Sequence, residues 1–400
     1  MIKNRDIVMV GLASLDSRIG SNVINLARVF SQHNRVLYVN YPMDRLTLWR
    51  ERNDPIIQKR KKILKGELPD IEQVNKNMWS FYPTCILESI NQLPVNWLFD
   101  VLNRINNKRF AKEINRVIQK LGFKDIIIFN DTDMFRSFYL KELIHAKTYV
   151  YYTRDNMLAV DYWKRQGTRI EPALMKKADL IVANSTFLAD IGKQYNPHSY
   201  YVGQGCDVTL FDKKLIKTVP EDIKHIPKPI IGYIGVLYTL RLDIDVLVHI
   251  AQSRPDWSVV LVGPEDEAFK GSKLHQINNV HFLGRKNMEE LPAYLYGFDV
   301  ALNPQKLNEV TIGNYPRKID EYLAMGKPTV ATKTKAMEVF EKWVYLANNK
   351  EEYVKLIEKA LNENTPEKEK EREKVARSHT WEANAEAIYE KIEMIEKLKK

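Results

Sequence analysis

The stretch Asp299–Thr332 constrains this chain more than any other. DVALNP reads as a strand running into a loop, and NYPRKIDEYLAMGKPTVAT continues through a helix into another strand. Pro316 suits a first helical turn, where its missing N–H is no loss. Gly326 ends the helix and Pro328 prevents its continuation. Lys318 and Glu321 are three residues apart and so share one helix face. A strand, a loop, a helix start carrying a cation and a carboxylate, and a second strand are how α/β proteins build a polar ligand site at a strand's carboxyl end.

The alternation extends in both directions. Asp6–Ala13, Arg35–Tyr41, Met78–Pro83, Asp125–Asn130, Thr148–Thr153 and Leu180–Asn184 read as strands separated by helices. The helices are predicted at Asn22–Phe30, Leu93–Leu121 and Glu171–Asp179, with Ser185 capping the next. Lys213–Lys228 is polar and proline-containing, a linker by composition. Pro229–Gly235, Trp257–Gly263, Val280–Leu283, Asp299–Asn303, Thr329–Ala331 and Trp343–Leu346 then restart the pattern. Two such runs predict an α/β protein with two Rossmann-like domains. The turn after the first strand lacks G-x-G-x-x-G, which disfavours a dinucleotide there.

The run HFLGRKNMEELPAYLYGFDVALNP through PRKIDEYLAMGKPTVAT resembles the donor half of GT-B glycosyltransferases of the group 1, family 4-like kind that build surface polysaccharides. The resemblance implies an α/β GT-B fold: two Rossmann-like domains facing each other across a cleft, with a C-terminal helix crossing back to the N-terminal domain. On that basis residues 1–207 form the acceptor domain, 208–378 the donor domain and 379–400 the returning helix. In the family the Lys of this pattern contacts donor phosphate and the Glu hydrogen-bonds the ribose, roles that fall on Lys318 and Glu321. Gly235, Arg241, Pro304, Gly313 and Asn314 complete the expected donor side, with a UDP- or GDP-linked sugar as co-substrate and no cofactor. The tract Tyr200–Phe211 corresponds to the family's hinge strand.

Two departures stand out. The carboxylate that the family places eight residues before Glu321 is Gly313 here, and Leu242-Asp243 follow Arg241 where a Lys is usual. Both bear on the stereochemical outcome and the donor sugar. Lys318, Arg241 and Asp155 are the candidate catalytic residues, with Asp155 a base only if the reaction inverts. Ser14, Asp16, Gly20, Asp131 and Arg154 are the acceptor-side candidates. Asp131-Thr132-Asp133 matches the D-x-D manganese signature of the other glycosyltransferase fold, but that fold lacks two successive βα domains. A cleft-lining or N-capping role for Asp131 or Asp133 is the preferred reading, and no metal is expected.

Charge adds a partner. Of the net +10, the part up to Gly205 holds 31 basic and 20 acidic residues, leaving 30 and 31 beyond it. A basic N-terminal half attracts phosphate-bearing substrates or an anionic surface. Arg45–Lys65 interleaves cations with Leu46, Leu48, Trp49, Ile56, Ile57, Ile63 and Leu64, the texture of an interfacial segment for anionic lipid. Nothing resembles a nucleic-acid motif. The two cysteines, Cys85 and Cys206, offer no disulfide framework, so a cytoplasmic protein is expected, peripheral at the inner face of the membrane.

The function so implied is transfer of a sugar from a nucleoside-diphosphate donor to a glycan or lipid-linked acceptor, retaining and metal-independent. A nucleotide-sugar epimerase of the same architecture and a non-catalytic nucleotide-sugar or polyanion-binding protein are the alternatives.

Overall fold

The structure is a computed structural model that describes residues 2–17 and 21–399. Gly20, expected on the acceptor side, lies outside the described residues. The chain forms two compact units, residues 1–205 together with 381–400, and residues 206–380.

The first unit is an eight-stranded sheet. Its strands are β1 (Asp6–Gly11), β2 (Arg35–Val39), β3 (Ile71–Asn75), β4 (Met78–Phe81), β5 (Ile127–Asp131), β6 (Thr148–Thr153), β7 (Leu180–Ala183) and β8 (Ser199–Tyr201). Their order is β3-β4-β2-β1-β5-β6-β7-β8, parallel except for the β3–β4 hairpin. The central strands are buried on both faces, as DIVMVG and TYVYYT require of a sheet covered by helices on each side. One face packs against the helix Asn96–Leu121 through Phe99, Phe110, Ile114 and Val117. The other is covered by the helices Asn22–Phe30 and Trp381–Leu398, the latter burying Ile388, Tyr389 and Ile392. The last helix thus belongs to the first unit although the second intervenes in sequence.

The second unit is a six-stranded parallel sheet of β9 (Ile230–Ile234), β10 (Ser258–Val262), β11 (Val280–Gly284), β12 (Val300–Asn303), β13 (Thr329–Thr332) and β14 (Tyr345–Ala347). The order is β11-β10-β9-β12-β13-β14. The chain moves outward from β9 to β11, then returns to the other side of β9 as β12. The carboxyl ends of β9 and β12 therefore flank the topological switch point, where open α/β sheets bind ligands. In the first sheet the same point lies between β1 and β5.

Several elements differ from the sequence-based expectation. The helix expected from Glu171 begins at Asp161 and carries Pro172 in its interior. Tyr200–Phe211 is not one strand, since β8 ends at Tyr201 and irregular backbone follows. Within Lys213–Lys228 a short helix, Glu221–Lys224, is held by Asp222, which accepts from Tyr294 Oη at 2.8 Å and pairs with Lys286 at 2.5 Å. That stretch is packed structure in the second unit. Arg45–Lys65 forms two helices, Arg45–Arg50 and Pro55–Leu64. The second turns Ile57, Arg60 and Ile63 inward, leaving Leu46 and Trp49 as the exposed apolar side chains of the segment.

Candidate functional site

In the second unit, the loops after β9 and β12 are stitched together by backbone hydrogen bonds. Asp243 N donates to Pro304 O at 2.9 Å and Lys306 N to Arg241 O at 2.9 Å. Arg241 is exposed at this junction. Pro304 and Arg241, distant in sequence, are thereby neighbours. On the β10 side, Gly235 N donates to Val262 O at 2.9 Å and Leu237 N to Pro264 O at 2.8 Å. Gly235 and Gly263 end their strands at φ values of +143° and +150°, conformations that L side chains rarely adopt. A Cβ on Gly263 would lie 1.9 Å from the Gly235 carbonyl oxygen, so the two turns can nest only with glycine at 263. Gly263 is a site feature that the sequence reading missed; its only sequence signal was a glycine ending the buried-strand pattern WSVVLVG.

Lys318 and Glu321 stand on the helix Lys318–Ala324. Tyr322, fully buried, ties this helix to β9, accepting from Ile234 N at 3.1 Å. Lys318 Nζ hydrogen-bonds Tyr233 Oη and lies 3.9 Å from that ring's centroid. The same ammonium is 2.8 Å from where a Gly235 Cβ would be, so Lys318 rests directly on the glycine turn. Burial pushes the Glu321 carboxyl above its ordinary value, and Lys318 and Arg317 pull it back through their charges. Among the described residues no hydrogen bond contributes to that balance, and an ionised carboxylate there can accept from hydroxyl groups. The helix has only seven residues, so side-chain charge rather than a long dipole marks this end of the sheet.

The loop into that helix is pinned from inside. Buried Thr311 donates to Lys306 O and accepts from Asn308 N at 3.1 Å, and Gln305 Nε2 donates to Thr311 O at 3.0 Å. Gly313 and Asn314 follow, both buried, with Asn314 N bonded to Thr311 O at 3.0 Å. Asn303 Nδ2 and Gln305 Oε1 are buried with no hydrogen-bond partner among the described residues, two further polar atoms at the end of β12. Behind the helix, Asp320 is fully buried and accepts from Tyr315 Oη at 2.9 Å, with His379 Nδ1 at 2.7 Å. Burial raises the Asp320 pKa, opposed by His379. This cluster locks the helix in place. The second unit thus brings Gly235, Arg241, Pro304, Lys318 and Glu321 to one end of its sheet: two cations, an acceptor carboxylate and a turn that begins with a glycine. Such a set can hold a diphosphate and an attached ribose.

In the first unit, Ser14 Oγ lies 2.5 Å from Asp16 Oδ1 and accepts from Arg60 Nη2 at 2.6 Å. Arg60 is 3% exposed and stacks over Tyr82 at 4.2 Å, and its burial lowers its pKa. Ser14 and Asp16 are therefore engaged in a buried polar web. Arg60 was missed because it sits in a basic run; its spacing of three from both Ile57 and Ile63 was the signal of an inward face. Asp131, fully buried at the end of β5, is paired with Arg154 Nε at 2.8 Å, and Arg154 Nη1 also holds Asp155 at 2.9 Å. The two carboxylates raise the Arg154 pKa, Asp131 most. Asp133 accepts from Arg136 N at 3.1 Å and pairs with Arg136 Nε at 2.9 Å, closing a turn that precedes the helix Leu140–Ile144. Neither Asp131 nor Asp133 caps a helix directly. Among the described residues no group of three or more His, Cys, Asp or Glu side chains could hold a metal.

Beside these residues the first unit has a cavity of about 270 Å³, lined by Tyr41, Asp44, Asn91, Arg136, Tyr162 and Trp163 among others. Asp44 caps the helix Arg45–Arg50 by accepting from Thr47 N at 2.9 Å. Aromatic faces alternate here with planar polar groups.

Residues 228–363, covering most of the second unit, match the family described as glycosyl transferases group 1. A Bacillus subtilis protein whose name assigns it to teichuronic acid biosynthesis as a glycosyltransferase, TuaH, is 26% identical over 243 residues. The match takes in 57% of this chain and 60% of that protein, so the chain spans less than two thirds of this relative's length. Among solved structures, Anabaena HepE in complex with UDP superposes with a TM-score of 0.65 at 16% identity, covering 98% of this chain and 100% of that one. Sucrose-phosphate synthase from Thermosynechococcus elongatus gives 0.63 at 15% identity, over 98% and 99%. At such identities the likeness shows the fold.

Proposed function

From the premise that residues 228–363 are a glycosyl transferases group 1 domain on a GT-B fold, we propose that this protein is a nucleotide-sugar-dependent glycosyltransferase. The second unit takes the nucleoside-diphosphate sugar and the first takes the acceptor, a glycan or lipid-linked sugar of surface polysaccharide synthesis. The observation that carries the reading is Lys318 resting on the Gly235 turn with Glu321 one helical turn away.

Transfer leaves negative charge on the departing diphosphate, and fixed cations aimed at that charge lower the barrier. Lys318 and Arg241 supply them in this reading, without a metal, and Glu321 accepts from the ribose hydroxyls. The Gly235–Gly263 nest lets backbone approach the diphosphate where any side chain would intervene. Gly313 and Asn314 border the sugar, and the absence of a carboxylate at Gly313 leaves the donor sugar open among UDP- and GDP-linked hexoses. We take the anomeric configuration as retained, with Asp155, held by Arg154, lying on the acceptor side together with Ser14, Asp16 and Asp131. The cavity with Tyr41, Tyr162 and Trp163 supports a sugar acceptor, because aromatic faces suit the C–H face of a pyranose and amides its hydroxyls. HepE was solved with UDP-glucose, which makes that the first donor to try. Among the described residues no helix is long and apolar enough to cross a membrane, and the reading assigns the reaction to the cytoplasmic face, with Leu46 and Trp49 beside Arg45 and Arg50 toward the lipid.

The test is release of nucleoside diphosphate from UDP-glucose, UDP-N-acetylglucosamine and GDP-mannose, with and without a lipid-linked oligosaccharide extract. Acceptor-dependent release from one donor supports transfer. An epimerised donor with its diphosphate intact identifies the epimerase, and binding without either outcome identifies a non-catalytic protein.

A further inference from the structure

We propose that the solvent face of the helix Asn96–Leu121 docks the protein on an anionic lipid surface, independently of which nucleotide the second unit takes. The inner face of this helix is ordinary core, with Phe99, Phe110, Ile114 and Val117 buried. Its outer face is unusual. Trp97, Val101 and Ile105 are 68%, 51% and 40% exposed, spaced by four residues. At about 100° per residue, they share a single arc of roughly 100° with Arg104, Lys108 and Lys112. Three large apolar side chains and three cations thus occupy one stripe roughly 22 Å long. Those cations have no ion-pair partner among the described residues, whereas the flanking Arg109 and Arg116 pair with Glu88 and with Asp70 and Glu113.

The surroundings extend the stripe. Glu88 bridges Arg109 to Arg45, which brings in the helix bearing exposed Leu46 and Trp49. On the other flank, Arg165 Nη1 donates to Gln92 O at 2.7 Å and Arg169 pairs with Asp100 at 2.8 Å, which places exposed Val160 and Tyr162 near the same helix start. An apolar set with tryptophans, ringed by unpaired cations, is the chemistry of an interfacial helix on anionic lipid. Charge complementarity selects lipid over a second copy of this chain, because a two-fold contact would lay Arg104, Lys108 and Lys112 against their own images. The stripe also relocates the contact: Pro55–Leu64 spends Ile57, Arg60 and Ile63 on the core and has little apolar surface left.

The experiment is co-sedimentation of the full chain with phosphatidylcholine vesicles, with and without phosphatidylglycerol. Wild type should partition onto the phosphatidylglycerol vesicles and be released by salt. Each cation reversed should weaken partition by at least about fivefold. Arg104→Glu/Lys108→Glu combined with Trp97→Ser should therefore lose more than about twenty-five-fold while keeping the wild-type melting temperature. Lys61→Glu/Lys62→Glu, the same charge change on the other helix, should leave partition within about threefold. Failure of wild type to bind phosphatidylglycerol vesicles would overturn the proposal, as would equal loss in the two sets of variants. Dimerisation in sedimentation velocity that Trp97→Ser abolishes, without vesicle binding, would overturn it in favour of a second copy. Nucleotide binding in the second unit is unaffected by any of these outcomes.

Discussion

Gly263→Ala isolates the nesting of the two strand-end turns. The added Cβ would sit 1.9 Å from the Gly235 carbonyl oxygen and 2.7 Å from its carbon, both backbone, so no side chain can swing aside. At φ +150° an alanine also carries backbone strain of about 1–3 kcal/mol, and displacing the Gly235 turn adds to it. A total near 3 kcal/mol, in a unit of about 175 residues, lowers its melting temperature by about 6–12 °C. Gly235→Ala is the contrasting case. Its Cβ meets the Lys318 ammonium at 2.8 Å, the far end of a flexible side chain, and the Tyr233 hydroxyl at 2.8 Å. Strain alone then costs about 1–2 kcal/mol, but Lys318 leaves its place and nucleotide affinity falls about tenfold. Differential scanning calorimetry with and without UDP separates the two effects. If Gly263→Ala melts within about 2 °C of wild type and still binds UDP, the nested-turn account is wrong.

Three further outcomes follow from buried charge. Glu171 is buried against Tyr151, whose hydroxyl donates to it at 2.7 Å, and burial pushes its pKa up from 4.5 to about 6. A carboxyl raised in the folded state is stabilising when protonated, so this contribution is complete below pH 4.5 and lost as pH climbs to about 6. Glu171→Gln should therefore stabilise by up to about 2 kcal/mol at pH 7.5 and gain nothing at pH 4, read from urea midpoints at both pH values. Arg154→Ala leaves Asp131 buried without its partner and should destabilise by about 3–5 kcal/mol, with UDP binding retained; a loss under 1 kcal/mol in chemical denaturation would contradict the pairing. Arg60→Ala exposes Ser14 and Asp16 to the loss of their buried donor and should cost about 2–4 kcal/mol, whereas Lys62→Ala, on the exposed side of the same helix, should change stability by less than about 0.5 kcal/mol on the same denaturant scale.

The strands that pair in the middle of each sheet were legible because a parallel strand covered on both faces must be continuously apolar, as in DIVMVG, TYVYYT and WSVVLVG. The β3 strand was not, since Ile71–Asn75 is a half-exposed edge whose IEQVN carries no apolar alternation. Pro172 misled the reading of its helix. A proline usually marks a helical first turn, yet here it sits inside a helix that starts ten residues before Glu171. Lys318 and Glu321 could be picked from spacing on one short helix, but their partners could not. Tyr233 reaches Lys318, and Gly263 reaches the Gly235 turn beneath it, through the order of strands β10 and β9, which no local pattern encodes. The same holds for Arg154 on Asp131, joined only by the register of β5 with β6.

The most direct measurement of the central claim is calorimetric titration of UDP, GDP, ADP and CMP into wild type and Lys318→Ala, paired with thermal unfolding. A ligand that binds only the folded protein at 100 times its Kd stabilises it by about 2.7 kcal/mol. The account predicts that one nucleoside diphosphate binds and raises the melting temperature, and that Lys318→Ala folds normally but loses at least about tenfold in affinity. Absence of binding by every nucleotide to a folded wild type, or equal binding by Lys318→Ala, would contradict it.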